Sequence, residues 1–149
     1  MSMFSGLDIA ASGLTAQRLR MDVASANIAN EDTTREKQVD GKWQPYARKV
    51  VTLQTAGAAP SFASVFNNAL NGSGGGVEVA SVSDDPTPFP VKYDPSNPDA
   101  NAQGYVAESN VDPLKEMVDL MDANRSYEAG VTVMNSEKNM LQSALTIGK

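Results

Sequence analysis

Proline placement constrains this chain more than any other feature of its sequence. The first proline is Pro45, the last is Pro113, and five of the eight fall between Pro86 and Pro98. Because proline breaks the interior of a helix, long helices can form only on either side of this proline-containing stretch. The sequence therefore predicts an α+β chain with a long helix at each end and a β-rich middle.

The amino-terminal stretch has the spacing of a long amphipathic helix. Four large apolar residues recur every seven positions: Leu7, Leu14, Met21 and Ile28. This pattern predicts a helix of roughly 28 residues, about 42 Å long. Ser5 and Asp8 are suited to cap its start. Asn30 and the EDTT that follows it are suited to end it.

The carboxyl-terminal stretch predicts a second long helix. Asp112 supplies a capping carboxylate, and Pro113 occupies the first helical position. Four residues again recur every seven positions: Leu120, Tyr127, Met134 and Leu141. Alternate positions of the same stripe are assigned to Met117, Val131 and Leu145, with Asn124 and Lys138 as interruptions. The matched spacing predicts an antiparallel, coiled-coil-like pair of terminal helices. Two ordinary surface helices on a bundle core are the alternative.

The middle of the chain has a different pattern. Residues 44–55 and 77–82 are rich in β-branched residues and predict strands, with further short strands near 91–93 and 105–106. Residues 62–70 have the spacing of a short helix, and residues 71–76 form a glycine-rich hinge. The predicted organisation is an amino-terminal helix over 1–31, a β-rich middle over 32–110, and a carboxyl-terminal helix over 111–149. Seven aromatic residues are expected to form a small core in the middle: Trp43, Tyr46, Phe62, Phe66, Phe89, Tyr93 and Tyr105.

Composition excludes several classes of function. Eighteen acidic residues against twelve basic ones give a net charge of −6, which disfavours nucleic acid, and no basic run favours an anionic membrane surface. Cysteine and histidine are absent, which removes thiolate and imidazole chemistry. No stretch has the pattern of a secretory signal peptide or a transmembrane helix, so we expect a soluble protein that needs no cleaved signal for export.

Three patterns have some features of chemical sites, but a structural role is favoured for each. The GSGGG segment precedes a strand rather than a helix, so it is interpreted as a linker and not a phosphate loop. Asp99, Asn101, Gln103 and Gly104 resemble half of a calcium loop, but a turn is favoured because Asn110 stands where a bidentate Glu is needed. The acids of the last helix are interpreted as its solvated face: Glu116, Asp119, Asp122, Glu128 and Glu137. No catalytic, cofactor-binding or metal-binding residue is predicted.

Three segments carry a resemblance to a known family. Residues 11–34, ASGLTAQRLRMDVASANIANEDTT, resemble the amino-terminal signature of the flagellar basal-body rod and hook proteins, and are most similar to its proximal rod members. YDPSNPDANAQGYV (93–106) and the segment over 109–140 resemble the same proteins. Residues 56–76 carry none of the signature.

The resemblance implies a structural subunit of the rod, located in the periplasmic part of the basal body. It implies export in an unfolded state through the flagellar type III apparatus, and helical assembly into a hollow drive shaft. Implied partners are other copies of the chain and the rod proteins FlgB, FlgF, FlgG and FliE, with contact to peptidoglycan left open. In such an assembly Asn27 and Asn30 are expected to hydrogen-bond across subunit seams, where small residues such as Ala24 allow close packing.

Two other functions remain open at this point. The first is a monomeric helical scaffold that binds one partner at fixed stoichiometry. The second is a carboxylate-dependent hydrolase of cell-wall glycan, which would need two carboxylates about 5 to 9.5 Å apart in a cleft.

Overall fold

The structure is a computed structural model that describes residues 5–39, 41–56, 66 and 75–147. Within these residues the chain forms two long helices and three antiparallel two-stranded hairpins, which confirms the predicted α+β class. The elements in chain order are α1 (Ser5–Ala29), β1 (Lys37–Val39), β2 (Lys42–Gln44), β3 (Lys49–Thr55), β4 (Val77–Asp84), β5 (Val91–Tyr93), β6 (Tyr105–Ala107) and α2 (Pro113–Ile147).

The ends of both helices follow the predicted capping chemistry. The Asp112 carboxylate accepts the backbone N–H groups of Leu114 at 3.0 Å and Lys115 at 3.4 Å, so it caps the start of α2. At the end of α1, the Asn30 side chain donates to the Ala26 carbonyl at 2.8 Å. Within the single chain, Asn30 therefore bonds to its own helix.

The two helices pack against each other in opposite directions. Asn27, near the end of α1, bonds to Glu116 near the start of α2. Gly6, at the start of α1, contacts Glu137 near the end of α2. Contacts at both ends of the pair therefore establish its antiparallel arrangement.

The hairpin β3–β4 packs on another side of α1. The Val77 N–H donates to the Ser12 hydroxyl at 3.0 Å, and a side chain on Gly76 would collide with that same hydroxyl. Gly76 was assigned to a hinge from sequence, but its lack of a side chain here permits close contact between strand and helix. As a result α1 lies between α2 and the hairpin.

Among the described residues of the middle segment, the aromatic side chains do not come together in the expected core. Tyr46 is buried, but Trp43, Tyr93 and Tyr105 are each about half exposed or more (54%, 63% and 45%). Each hairpin has only two strands and cannot enclose large side chains between two sheets. Tyr93 and Tyr105 instead pack edge to face on the surface of hairpin β5–β6, with ring centroids 5.3 Å apart.

The predicted strand over 44–55 is interrupted. Strand β2 ends at Gln44 and β3 begins at Lys49, with an irregular stretch containing Pro45 between them. Proline has no N–H for a strand ladder, and the following Tyr46 and Ala47 are buried against the rest of the chain. The strands predicted near 77–82, 91–93 and 105–106 are confirmed as β4, β5 and β6. The short helix predicted over 62–70 lies outside the described residues except for Phe66, which is helical.

Candidate functional site

One row of α2 faces α1, and we call it the inner row. Its members are the partly or fully buried residues that alternate at spacings of three and four: Glu116, Leu120, Ala123, Tyr127, Gly130, Met134, Glu137 and Leu141. Leu120, Tyr127, Met134 and Leu141 were the stripe predicted from sequence, and all four are half-buried. This repeat of seven fits a helix that keeps one side toward a partner along its length.

The alternate positions of the stripe were assigned wrongly within the helix pair. Met117, Val131 and Leu145 are 48%, 37% and 67% exposed, whereas the alternates that face α1 are the buried Glu116 and Ala123 and the partly buried Gly130 and Glu137. The structure selects small residues because the helices approach closely: Ala123 is completely buried, and a Cβ on Gly130 would lie 2.9 Å from the Leu14 side chain. The Glu137 carboxylate lies against Gly6, in the first turn of α1, where the helix dipole favours negative charge.

Helix α1 has two packed faces and one free face. The predicted stripe Leu7, Leu14, Met21 and Ile28 is half-buried throughout, and Ala16, Ala24 and Asn27 are buried. Most of the exposed residues recur at spacings of three and four, and we call them the free row: Asp8, Ala11, Thr15, Arg18, Asp22, Ser25 and Ala29. The small residues noted in the sequence are therefore divided between packing inside the chain and this free face.

A buried polar junction joins the helix pair to the middle segment. Asn27, only 1% exposed, uses both ends of its amide. Its nitrogen donates to the Lys49 carbonyl and to a Glu116 carboxylate oxygen, each at 2.9 Å. Its oxygen accepts from the Tyr46 hydroxyl at 3.0 Å and from the Lys49 N–H at 2.9 Å. Four hydrogen bonds satisfy this amide completely, which is what a buried side chain of this type requires.

Arg48 forms the second half of the junction. Its guanidinium donates to Glu116 at 2.5 Å and to Asp85 and Asp119 at 3.3 Å each. Burial alone would lower the pKa of Arg48, but the hydrogen bond and charge of Glu116, aided by the other two acids, outweigh it and raise the pKa. Burial also raises the pKa of the Tyr46 hydroxyl. The junction therefore holds a permanent cation between carboxylates of the helix and the hairpin.

Sequence reasoning missed most of this junction. Glu116 had been assigned to a solvated face, yet it is only 2% exposed. One of its carboxylate oxygens accepts a hydrogen bond from Arg48, and the other accepts one from Asn27. Asn27 was expected at a subunit seam and is instead used within the chain. The position of Asn27 could have predicted its burial, because it lies one residue before Ile28 on the packed side of α1. An amide buried there is disfavoured unless it has hydrogen-bond partners.

The segment that resembles half of a calcium loop has a structural role. The Asn101 side chain accepts the N–H groups of Gln103 at 2.9 Å and Tyr105 at 3.0 Å, and Gly104 has a φ of 81°. This confirms the predicted turn. Asp99 binds the guanidinium of Arg35, which together with Thr34 lowers the pKa of that carboxyl.

Neither a metal site nor a membrane span is found in the described part of the chain. No group of three or more acidic residues there has the geometry to hold a metal ion. No helix there has the length and apolar character that crossing a membrane would need.

The outward side of α2 presents an extended apolar surface. We call it the outer flank, and it includes six exposed apolar residues and three charged ones: Leu114, Met117, Val118, Met121, Arg125, Glu128, Val131, Lys138 and Leu145. Leu114 is 74% exposed and Leu145 is 67% exposed. Clustered exposed apolar side chains, as at Leu114, Met117, Val118 and Met121, are typical of a protein–protein contact.

Comparison with known proteins gives a consistent family assignment. Residues 7–35 match the family model described as flagella basal body rod protein, and residues 102–147 match that of the flagellar basal body rod FlgEFG protein C-terminal region. The chain is 57% identical to the flagellar basal-body rod protein FlgC of Bacillus subtilis (strain 168), over the full length of both. It is 44% identical to FlgC of Borreliella burgdorferi, over 99% of this chain and 98% of that protein. It is 43% identical to FlgC of Escherichia coli O6:H1, over the full length of both.

These relatives are structural proteins, so the glycan-hydrolase hypothesis is not supported. The acids on which that hypothesis depended agree with this conclusion, because Glu116 and Asp119 are both bound to Arg48. The signature at both ends, the helix pair and the full-length identities together show that the chain belongs to the FlgC family of flagellar basal-body rod proteins.

Proposed function

We propose that this chain is a structural subunit of the proximal rod of the flagellum and transmits motor torque by assembling helically with its neighbours. Its neighbours in the rod are further copies and the rod proteins FlgB, FlgF, FlgG and FliE. The chain reaches the periplasmic part of the basal body through the flagellar type III export apparatus, without a cleaved signal.

The outer flank of α2 is the observation that carries this proposal. Leu114, Met121 and Leu145 are each at least half exposed in the single chain. Leaving a large apolar side chain in water rather than burying it costs about 1.5–3 kcal/mol. An assembly that covers these residues recovers this free energy, whereas a monomer does not.

The helix pair and the polar junction suit a torque-bearing role. We infer that α1 and α2 act as a coiled-coil-like pair, with Leu14 seated against Gly130 and the repeat of seven running along α2. Arg48 links the start of β3 to Asp119 on α2 and to Asp85 beyond β4. Because Arg48 is mostly buried and binds three carboxylates, we expect rotation of the helices to carry the middle segment with them.

The test replaces the gene for this chain in a motile bacterium that naturally produces it. Deletion should abolish swimming, and Met121→Asp should reduce the swimming halo to the size seen after deletion, because an unpaired charge would be buried in the assembly. The matched control is Ser136→Asp, which places the same charge on another exposed side of α2, where the native residue is polar.

Two further measurements make the result decisive. Immunoblots should show equal amounts of both variants in the cell, and purified basal bodies should contain Ser136→Asp but lack Met121→Asp. Full swimming after deletion would contradict the proposal. Full swimming of Met121→Asp would show that the outer flank is not an assembly surface.

A further inference from the structure

The free row of α1 and the outer flank of α2 carry opposite charge patterns. Along the free row, Asp8, Arg18 and Asp22 give the order negative, positive, negative. In the reverse direction along α2, the charged members of the outer flank give the order positive, negative, positive: Lys138, Glu128 and Arg125. All six side chains belong to exposed residues, and within the described residues none of them has an ion-pair partner.

The spacing of the charges also matches. Arg18 lies ten positions after Asp8, and Glu128 lies ten positions before Lys138. The third charge follows after four residues on α1 and after three on α2. At 1.5 Å per residue the mismatch is about 1.5 Å, which long side chains can absorb.

The same antiparallel alignment matches side-chain size. When Arg18 faces Glu128, Ser25 faces Met121 and Ala29 faces Met117. The outer flank supplies the large apolar side chains, and the free row supplies the small ones that let two helices approach. Charge and size therefore favour one register.

These two surfaces cannot meet within one chain. There, α1 and α2 already face each other through the seam that joins Asn27 to Glu116 and Leu14 to Gly130. The free row and the outer flank are the sides that this seam leaves exposed. A second copy in the same orientation would present its α2 antiparallel to the first copy's α1, as the alignment requires.

From this complementarity we propose that the free row of α1 in one copy packs on the outer flank of α2 in the next copy. The inference rests on the proposed function and specifies its interface. Such a contact joins two different surfaces. The first copy uses its free row and keeps its outer flank available, while the second uses its outer flank and keeps its free row available. Repeated contacts of this kind do not close into a dimer and instead build a ring or helix.

Charge exchange between two variants tests the contact. Arg18→Glu alone places two acids opposite each other, and Glu128→Arg alone places two cations opposite each other. Each variant, produced alone in the deletion strain, should reduce the swimming halo at least twofold. In a strain that produces both, the carboxylate introduced at position 18 of one chain meets the guanidinium introduced at position 128 of the other. The native Arg18 and Glu128 that remain in the two chains also meet, so swimming should recover.

The controls separate this inference from the proposed function. A chain carrying both substitutions should also swim, whereas a chain carrying Arg18→Glu and Asp122→Arg should remain deficient, because exposed Asp122 lies outside the outer flank. If deletion abolishes swimming but neither single variant impairs it, or if co-production does not restore it, the proposed contact is wrong while the rod function stands. If deletion leaves swimming intact, the proposed function itself fails.

Disulfide trapping provides a direct readout, because the native chain contains no cysteine. Ser25→Cys combined with Met121→Cys should give a ladder of dimers and higher oligomers under oxidising conditions in purified basal bodies. The control pairs Ser25→Cys with Ser136→Cys, which lies away from the outer flank, and should give at least fivefold less ladder. Equal ladders from both pairs, or only monomer from the first, would overturn the assignment.

Discussion

The two ends of the helix pair differ in how the single chain supports them. At the junction end, Asn27 and Glu116 are buried, and Arg48 joins them to the hairpins. At the far end, Gly6 contacts the side chain of Glu137, and no hairpin of the described chain covers the last turns of α2, where Met140 and Leu145 are 63% and 67% exposed. One end is stabilised by contacts within the chain, while the other leaves large apolar side chains exposed, which we expect neighbouring subunits to cover.

The largest effect expected from this comparison comes from removing the cation of the junction. Arg48→Ala leaves the buried Glu116 carboxylate without its charged partner, and breaking a buried pair in this way costs about 3–5 kcal/mol. Urea unfolding of the isolated chain, followed by circular dichroism, measures this loss. Arg35→Ala is the matched control, since its ion pair with Asp99 is exposed and should contribute little. Equal stability of both variants would show that the junction does not hold the chain together.

Hydrogen exchange should show the difference between the two ends without any substitution. In the dilute full-length chain, amides near Ala24 and Ala123 should exchange at least about tenfold more slowly than those near Gly6 and Met140, since opening is easier where few contacts are buried. An assembled sample should remove most of this difference. Uniformly fast exchange would indicate that both helices fold only on assembly, and uniformly slow exchange would show that neither end needs a neighbouring subunit.

Acid should weaken the junction end first, with a smaller effect. The pKa of Asp84 is lowered chiefly by its hydrogen bonds to Lys49 and Lys37, and that of Asp85 chiefly by bonds to the Thr87 hydroxyl and N–H. A carboxyl with a lowered pKa in the folded state contributes stability that is complete above its ordinary pKa, near 4, and is lost as the pH falls through the lower folded value. As the pH falls below about 4, protection should therefore fall at β3 and β4 before it falls at the far end of the helix pair. Asp84→Asn should flatten that dependence, and an unchanged profile would exclude Asp84 as its source.

Local chemistry made the helix ends and several strands predictable from sequence. Asp112 followed by Pro113 marks the start of α2, and Asn30 marks the end of α1, because these signals act through neighbouring backbone groups. The stripe from Leu120 to Leu141 was also found, because large apolar residues at a repeat of seven seek burial whatever their partner is. The turn at Asn101 followed the same logic, since its hydrogen bonds are local.

The aromatic residues show where composition failed as a guide. Trp43 and Tyr93 predicted a core by their size, yet a core needs two layers of structure to enclose it. The described part of the chain forms only two-stranded hairpins around them, and both side chains are exposed. Their placement depended on how many strands pair, which residue type does not specify.

By itself, the sequence determined that this protein has two long capped helices flanking a β-rich segment, and which apolar stripe each helix would bury. Only the tertiary structure decided that Glu116, Ala123 and Gly130 complete the seam, and that Asn27 and Arg48 both bind Glu116. The physical reason is that small and polar residues have little intrinsic preference for burial. Alanine and glycine are buried where another helix comes close, and a carboxylate or amide is buried only where every hydrogen-bonding atom finds a partner. Those partners lie up to 89 positions away along the chain, so no local sequence pattern predicts that folding brings them together.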